Sequence, residues 1–250
     1  MTSSSTRWLR RFHPADGRAV RLVCFPHAGG SASYYHPVSA ALAADTEVIA
    51  LQYPGRQDRR TEPCVDSIAV LADRITDELL TLDDRPTLYF GHSMGAVLAF
   101  ETAWRLEHKG SGQAPRGIVA SGRRAPSTSR AETVHQRDDE GVLAELRLLD
   151  GSDARALADE EILRMAMPAI RADYRAVERY TCEPGRVLRC PITALTGDAD
   201  PRTTLAEAEA WQDHTTGGFR LEVLPGGHFF LAEQQAAVLR EITTELAGLR

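Results

Sequence analysis

Ser93 lies in the run Gly91-His92-Ser93-Met94-Gly95, after the apolar stretch Thr87-Leu88-Tyr89-Phe90 and before the helix-forming Ala96-Val97-Leu98-Ala99-Phe100-Glu101. The pattern G-x-S-x-G thus stands at a strand-to-helix junction, where its chemistry requires it. A serine held there has a strained backbone, and glycines two positions to either side let strand and helix approach closely. The turn lifts the hydroxyl off the sheet edge and aims the start of a helix at the same point. There the Met94 N–H and the positive end of the helix dipole can stabilise an oxyanion. These residues imply a serine hydrolase or acyltransferase; the plainer alternative is a glycine-rich turn capping a helix.

An activated serine needs a base and an orienting carboxylate, in the chain order Ser, Asp or Glu, His for this architecture. Downstream of Ser93 stand His108, His135, His214 and His228. The first three fall in helical or inserted stretches. His228 follows the strand Leu221-Glu222-Val223-Leu224 and the turn Pro225-Gly226-Gly227, which puts it in a mobile loop on the edge that carries Ser93. Its alternative is a solvent-exposed turn histidine. His92 adjoins the serine, so its ring is expected to point away and brace the loop.

For the acid, the strand Ile192-Thr193-Ala194-Leu195-Thr196 ends in Gly197-Asp198-Ala199-Asp200-Pro201. Either aspartate can cap the turn. Asp200 is preferred because Pro201 favours an extended backbone before it and one more residue clears the strand end. A second oxyanion donor is expected from Phe25-Pro26-His27-Ala28-Gly29-Gly30-Ser31, through the N–H of Ala28. His27, and Arg56 after Tyr53-Pro54-Gly55, are candidates for touching substrate. Arg56 would steer a phosphate, against the commoner fate of a surface loop arginine.

These groups must be positioned by the elements around them. Val20 to Phe25, Glu47 to Gln52, Pro86 to Phe90, Gly117 to Ala120, Pro191 to Thr196 and Phe219 to Leu224 are short aliphatic runs with the character of strands. Between them, Asp66 to Leu82 places Ile68, Leu71, Ala72, Ile75, Leu79 and Leu82 on one helical face. The alternation predicts an α/β fold with a mostly parallel sheet, helices on both faces, and ligands beyond the carboxyl ends of the strands. Residues 123–187 break the rhythm with amphipathic helical patterns alone. They are expected to form a helical lid inserted in a single domain spanning 1–250, with Ser127-Thr128-Ser129 as hinge. The alternative is ordinary sheet-covering crossovers.

A chain of 250 residues with 43% hydrophobic content suffices for one full core. Its net charge of −6 is spread without blocks, which argues against a nucleic-acid partner. No stretch approaches a transmembrane span. The polar opening 1–6 is expected to be frayed, and Arg10-Arg11 lacks the apolar run of an export signal. Cys24, Cys64, Cys182 and Cys190 lack C-x-x-C or His/Cys metal spacing. The expectation is a cytoplasmic protein with free thiols, no metal and no membrane association, monomeric by default.

Taken together, Phe25-Pro26-His27-Ala28-Gly29-Gly30, Gln52-Tyr53-Pro54-Gly55-Arg56, Gly91-His92-Ser93-Met94-Gly95, Arg171-Ala172-Asp173-Tyr174, Gly197-Asp198-Ala199-Asp200-Pro201 and Gly226-Gly227-His228-Phe229-Phe230 resemble the type II thioesterases of polyketide synthases and nonribosomal peptide synthetases. The resemblance spans nearly the whole chain, although 123–187 matches only in patches. It implies an α/β-hydrolase fold with Ser93, Asp200 and His228 as triad and the N–H groups of Ala28 and Met94 as oxyanion hole. It also implies a substrate thioester-linked to the phosphopantetheine arm of an acyl or peptidyl carrier protein, no cofactor of the enzyme's own, and removal of aberrant or stalled chains as its task. The rivals are product release, a carboxylesterase or lipase acting on free esters, and a binding module on the same fold without catalysis.

Overall fold

The computed structural model describes residues 7–14, 17–150 and 160–250; the opening 1–6 and part of the expected lid, 151–159, lie outside them. Seven strands form one sheet: β1 (Leu9–Arg10), β2 (Val20–Phe25), β3 (Thr46–Leu51), β4 (Thr87–His92), β5 (Gly117–Ser121), β6 (Ile192–Gly197) and β7 (Phe219–Leu224). Their order is β1-β3-β2-β4-β5-β6-β7. Every pairing is parallel except that of β1, a two-residue edge strand antiparallel to β3 that was too short to show as a pattern in the sequence.

The strands β2 to β6 are buried along their whole length, because both faces are covered. Alternate residues serve opposite layers. On one face Val23, Phe25, Tyr89 and Ile118 pack against α2 (Ile68–Leu79) and α3 (Met94–His108). On the other, Leu22, Cys24, Leu88, Phe90 and Val119 meet α1 (His36–Leu42) and α8 (Gln235–Ala247). Helix α2 starts where Ser67 accepts the N–H of Val70, an N-cap that satisfies one orphan donor of the first turn.

The chain crosses from β3 to the far side of β2 to lay down β4. That reversal opens a crevice at the carboxyl ends of β2 and β4, between the loop 26–32 and the turn at Ser93. The segment between β5 and β6 carries a short 3-10 turn (Val134–Gln136), α4 (Asp139–Asp150) and α5 (Glu160–Glu178), with no strand among its described residues. The insertion has a small core of its own, including Val142, Leu143, Met167, Ile170 and Tyr174. Ser127 is not a loose hinge: its N–H donates to His214 Nε2 at 3.1 Å and its hydroxyl lies 2.9 Å from the same nitrogen. Short helices α6 (Leu205–Glu209) and α7 (Phe230–Glu233) flank the last two loops.

Candidate active site

The backbone at Ser93 has φ 54° and ψ −117°, a sparsely populated conformation that costs roughly 1–3 kcal/mol for a non-glycine residue. The surroundings impose it. Ser93 N–H donates to Ser121 O at 2.8 Å, and α3 begins one residue later. A Cβ on Gly95 would lie 2.0 Å from Phe25 O, and one on Gly91 2.2 Å from Gly95 O, so side chains at either position would force the elbow open. The turn leaves Ser93 half-buried, facing the crevice.

Two loops bring the remaining groups to it. His228 Nε2 is 3.0 Å from Ser93 Oγ, and His228 Nδ1 is 2.9 Å and 3.1 Å from the two carboxylate oxygens of Asp200. A carboxylate on Nδ1 holds the proton there and leaves Nε2 as the acceptor facing the serine. His228 is 3% exposed, which rules out a solvent-exposed turn histidine. The two aspartates divide the work: Asp198 Oδ1 accepts the N–H of Gly226 at 2.9 Å and ties the two loops together, while Asp200 faces the imidazole and also accepts the N–H of Arg202 at 2.8 Å.

Around His228 lies a cluster of neutral rings. His92 is centred 5.1 Å from it and Phe229 5.3 Å, and His27 packs edge-on to Phe229 at 4.9 Å. Burial, then the charges of His228 and Arg56, push His27 down to about 3. Burial, then His228 and His27, hold His92 well below the usual histidine range. His92 Nδ1 is 3.0 Å from Ser121 Oγ, so it braces the elbow from beneath, as its adjacency to Ser93 suggested. His27 borders the crevice in the loop that carries Ala28. In the sheet register Phe25 pairs with Gly91, and a Cβ on Gly95 would meet Phe25 O and Pro26 O, so the start of that loop packs directly on the amino end of α3, where Met94 lies.

Arg56 overturns its phosphate-steering expectation. Its side chain is 6% exposed and turned inward. Nη1 and Nη2 donate to Asp173 at 2.7 Å and 2.9 Å, Nη1 also to Gly30 O at 3.0 Å, and Nε to Pro54 O at 3.3 Å. Burial opposes the charge, but the Asp173 carboxylate outweighs it and raises the guanidinium's pKa above its ordinary value. With four of its five N–H donors on protein acceptors and its side chain buried against Asp173, Arg56 is not a surface arginine turned out to a ligand.

The other histidines downstream of Ser93 stand apart from it: His108 Nδ1 donates to Trp104 O, His135 meets Glu178, and His214 holds Ser127. Two residues gained no role from the sequence. Asp173, on α5, receives Arg56 and the N–H of Gly29; Arg202 pairs with Glu132 and Glu145 from the insertion. Asp173 lies in the run Arg171-Ala172-Asp173-Tyr174, but its partners are 117 and 144 residues away, and no local spacing announces them. Among the described residues no group of His, Cys, Asp or Glu is arranged to hold a metal ion, and no helix is long and apolar enough to cross a membrane.

The comparisons give the family and the fold. The sequence model of the thioesterase domain family matches residues 20–246. A probable cadicidin biosynthesis thioesterase of Streptomyces griseus is 65% identical over 97% of this chain and 67% of its own length, and Thioesterase PikA5 of Streptomyces venezuelae 48% identical over 97% and 86%. The solved type II thioesterase BorB from the borrelidin biosynthetic cluster superposes with a TM-score of 0.92 at 50% identity, covering 97% of this chain and 98% of BorB. The chain therefore belongs to the thioesterase domain family, as a hydrolase of thioesters on the α/β-hydrolase fold.

Proposed function

We propose that the chain hydrolyses acyl thioesters carried on the phosphopantetheine arm of an acyl or peptidyl carrier protein, clearing aberrant or stalled chains in polyketide or nonribosomal peptide biosynthesis. The relatives support this reading: BorB and the yersiniabactin protein YbtT are described as type II thioesterases of such clusters. The observation that carries the mechanism is the hydrogen-bonded chain Ser93–His228–Asp200 beside the crevice.

In this mechanism His228 Nε2 takes the Ser93 proton as Oγ attacks the thioester carbonyl. The resulting oxyanion is received by the N–H groups of Ala28 and Met94, each donor worth roughly 10²–10³ in rate. Collapse breaks the C–S bond, and His228 returns the proton to the departing pantetheine thiolate. Water, deprotonated by His228, then attacks the acyl-serine; the acid leaves and Ser93 regains its proton. Asp200 stabilises the imidazolium throughout. The insertion 123–187 acts as a lid over the acyl chain, and no step needs a metal or redox cofactor.

The test is steady-state hydrolysis of an acyl-loaded carrier protein and of the simple ethyl ester of the same acid, with wild type and Ser93→Ala. The expected result is a higher kcat/KM on the carrier-bound thioester, and a loss on the order of 10⁶ in kcat for Ser93→Ala. Equal kcat/KM on both substrates would sink the carrier-protein reading and leave an esterase.

A further inference from the structure

The loop 26–32 is gripped at successive peptide groups. Tyr53 Oη donates to Pro26 O at 3.2 Å, Gly30 N–H closes a turn onto His27 O at 2.9 Å, and Gln52 Oε1 accepts the N–H of Ala32 at 2.8 Å. Within the turn Gly29 has φ 75°, which a side chain would strain. The peptide planes after Ala28 are held by one ion pair. Asp173 Oδ2 accepts Gly29 N–H at 2.8 Å and Arg56 Nη1 at 2.7 Å, and the same Nη1 donates to Gly30 O at 3.0 Å. Asp173 is 0% exposed and comes from α5, in the insertion rather than the sheet.

We infer that Asp173 is a positioning residue for the oxyanion loop: through Gly29 N–H directly, and through Arg56 on Gly30 O, it fixes the turn that presents Ala28 N–H to the reacting carbonyl. This rests on the reading of Ala28 as an oxyanion donor. The ion pair is expensive to form in a buried site, and the hydrogen bonds around it recover that cost only while α5 stays docked. The geometry thus makes α5 part of the site's rigid frame. Any lid motion that admits an acyl chain leaves α5 in place; a motion that lifts it dismantles the oxyanion hole at the same time.

A purely structural ion pair would destabilise the fold on mutation and affect ground-state and transition-state ligands alike. An oxyanion-loop clamp acts differently, because a donor displaced by a fraction of an ångström fails the charged intermediate before it fails the substrate. The test therefore compares three measurements on wild type, Asp173→Asn and the apolar double variant Arg56→Met/Asp173→Leu, which leaves no buried charge unpaired and keeps the test open should Asp173→Asn fail to fold. The measurements are kcat and KM on an acyl N-acetylcysteamine thioester, affinity for the trifluoromethyl ketone of the same chain, whose Ser93 adduct bears an oxyanion, and affinity for the matching thioether, which lacks the carbonyl.

The expected result is a kcat about 10- to 100-fold lower with KM changed less than about threefold, trifluoromethyl ketone affinity falling in proportion to kcat, and thioether affinity unchanged. A kcat within about threefold of wild type in the folded variants, or equal losses for ketone and thioether, would overturn the inference. Ser93→Ala run alongside separates the two levels: its inactivity with normal kcat in the Asp173 variants removes the clamp alone, whereas wild-type turnover in Ser93→Ala removes the triad reading as well.

Discussion

The floor of the site and the insertion docked on its 26–32 loop are built by different forces. The floor at Ser93 is set by the main chain: strand register, the close passage of α3 over Phe25 O, and the positive φ of Ser93 fix the elbow through steric exclusion. The insertion, besides packing Ala125, Ala176 and Val177 into the main core, is held by side-chain charge. Arg202 joins Glu132 at 2.7 Å and Glu145 on α4, Arg124 meets Glu132 at 2.5 Å, Arg137 reaches Glu145 at 3.0 Å, and Arg56 holds Asp173 on α5. Steric constraints ignore salt and pH, whereas ion pairs respond to both according to their burial. The contrast implies that salt reaches the partly exposed pairs of the insertion before it reaches the elbow at Ser93.

Mutations should separate the two most sharply at the floor. Asp200→Asn leaves the packing intact but permits the wrong imidazole tautomer, and kcat should fall on the order of 10⁴ with little change in melting temperature. Asp198→Asn, two residues away on the loop-tying carboxylate, should stay within about tenfold; equal losses would mean that the division of labour between the aspartates is mistaken. Gly95→Ala tests the steric claim itself. Its methyl would lie 2.0 Å from Phe25 O, backbone that cannot give way cheaply, so about 3 kcal/mol should be lost, or roughly 6–12 °C in melting temperature for a chain of this size. A variant with wild-type stability would show that close packing is not what holds the elbow.

The same contrast explains what the sequence disclosed. The elbow, the Asp200 loop and the His228 loop were legible because main-chain constraints leave local marks: glycines at fixed offsets, a proline after the acid, strands bounded by turns. The parallel sheet followed from the strand and helix periods. Arg56 was misjudged because a loop arginine after Pro54-Gly55 carries no local sign that Asp173, 117 residues on, will bury it. Arg202 went unnoticed for the same reason, its carboxylate partners lying 57 and 70 residues back. Edge strand β1, two residues long, was too short for any period to register.

Arg202 offers a smaller test on the insertion's side. It is 19% exposed, its partners Glu132 and Glu145 10% and 5%, so the network lies between a surface pair and a buried one. Arg202→Ala should cost about 2 kcal/mol, or roughly 4–8 °C, less than Gly95→Ala. Because the charges are partly reached by solvent, raising NaCl from about 0.05 M to about 0.5 M should narrow the gap between wild type and variant in thermal unfolding. A gap that ignores salt would place the network's contribution in packing instead.

Acid should act in two windows, from groups shifted in the same direction for different reasons. His27 is pushed to about 3 by burial, then by His228 and Arg56, from an ordinary 6.5, and His92 and His214 are lowered by burial as well. The unfolded chain binds protons at these rings before the folded one does, so the stability they contribute is complete above about pH 6.5 and falls as pH drops, for His27 down to about 3. Glu132 differs: burial works to raise it, but the hydrogen bond and charge of Arg124, with Arg123 and Arg202, pull it down to about 2 from 4.5. Its contribution is complete above about pH 4.5 and is lost between there and about 2; Glu62, Asp83 and Glu207 are also lowered, and their contributions are likewise lost on the acid side of their ordinary values. Urea unfolding from pH 8 to 3 should therefore show stability falling first with the histidines of the floor and the His214 anchor, then more steeply as the carboxylates join. His27→Asn should reduce the slope from about pH 6.5 down to about 3, while Glu132→Gln should reduce it only below about pH 4.5. If Glu132→Gln flattened the upper limb instead, acid would be reaching the insertion before the site beneath it, and the floor would owe its persistence to the charges above.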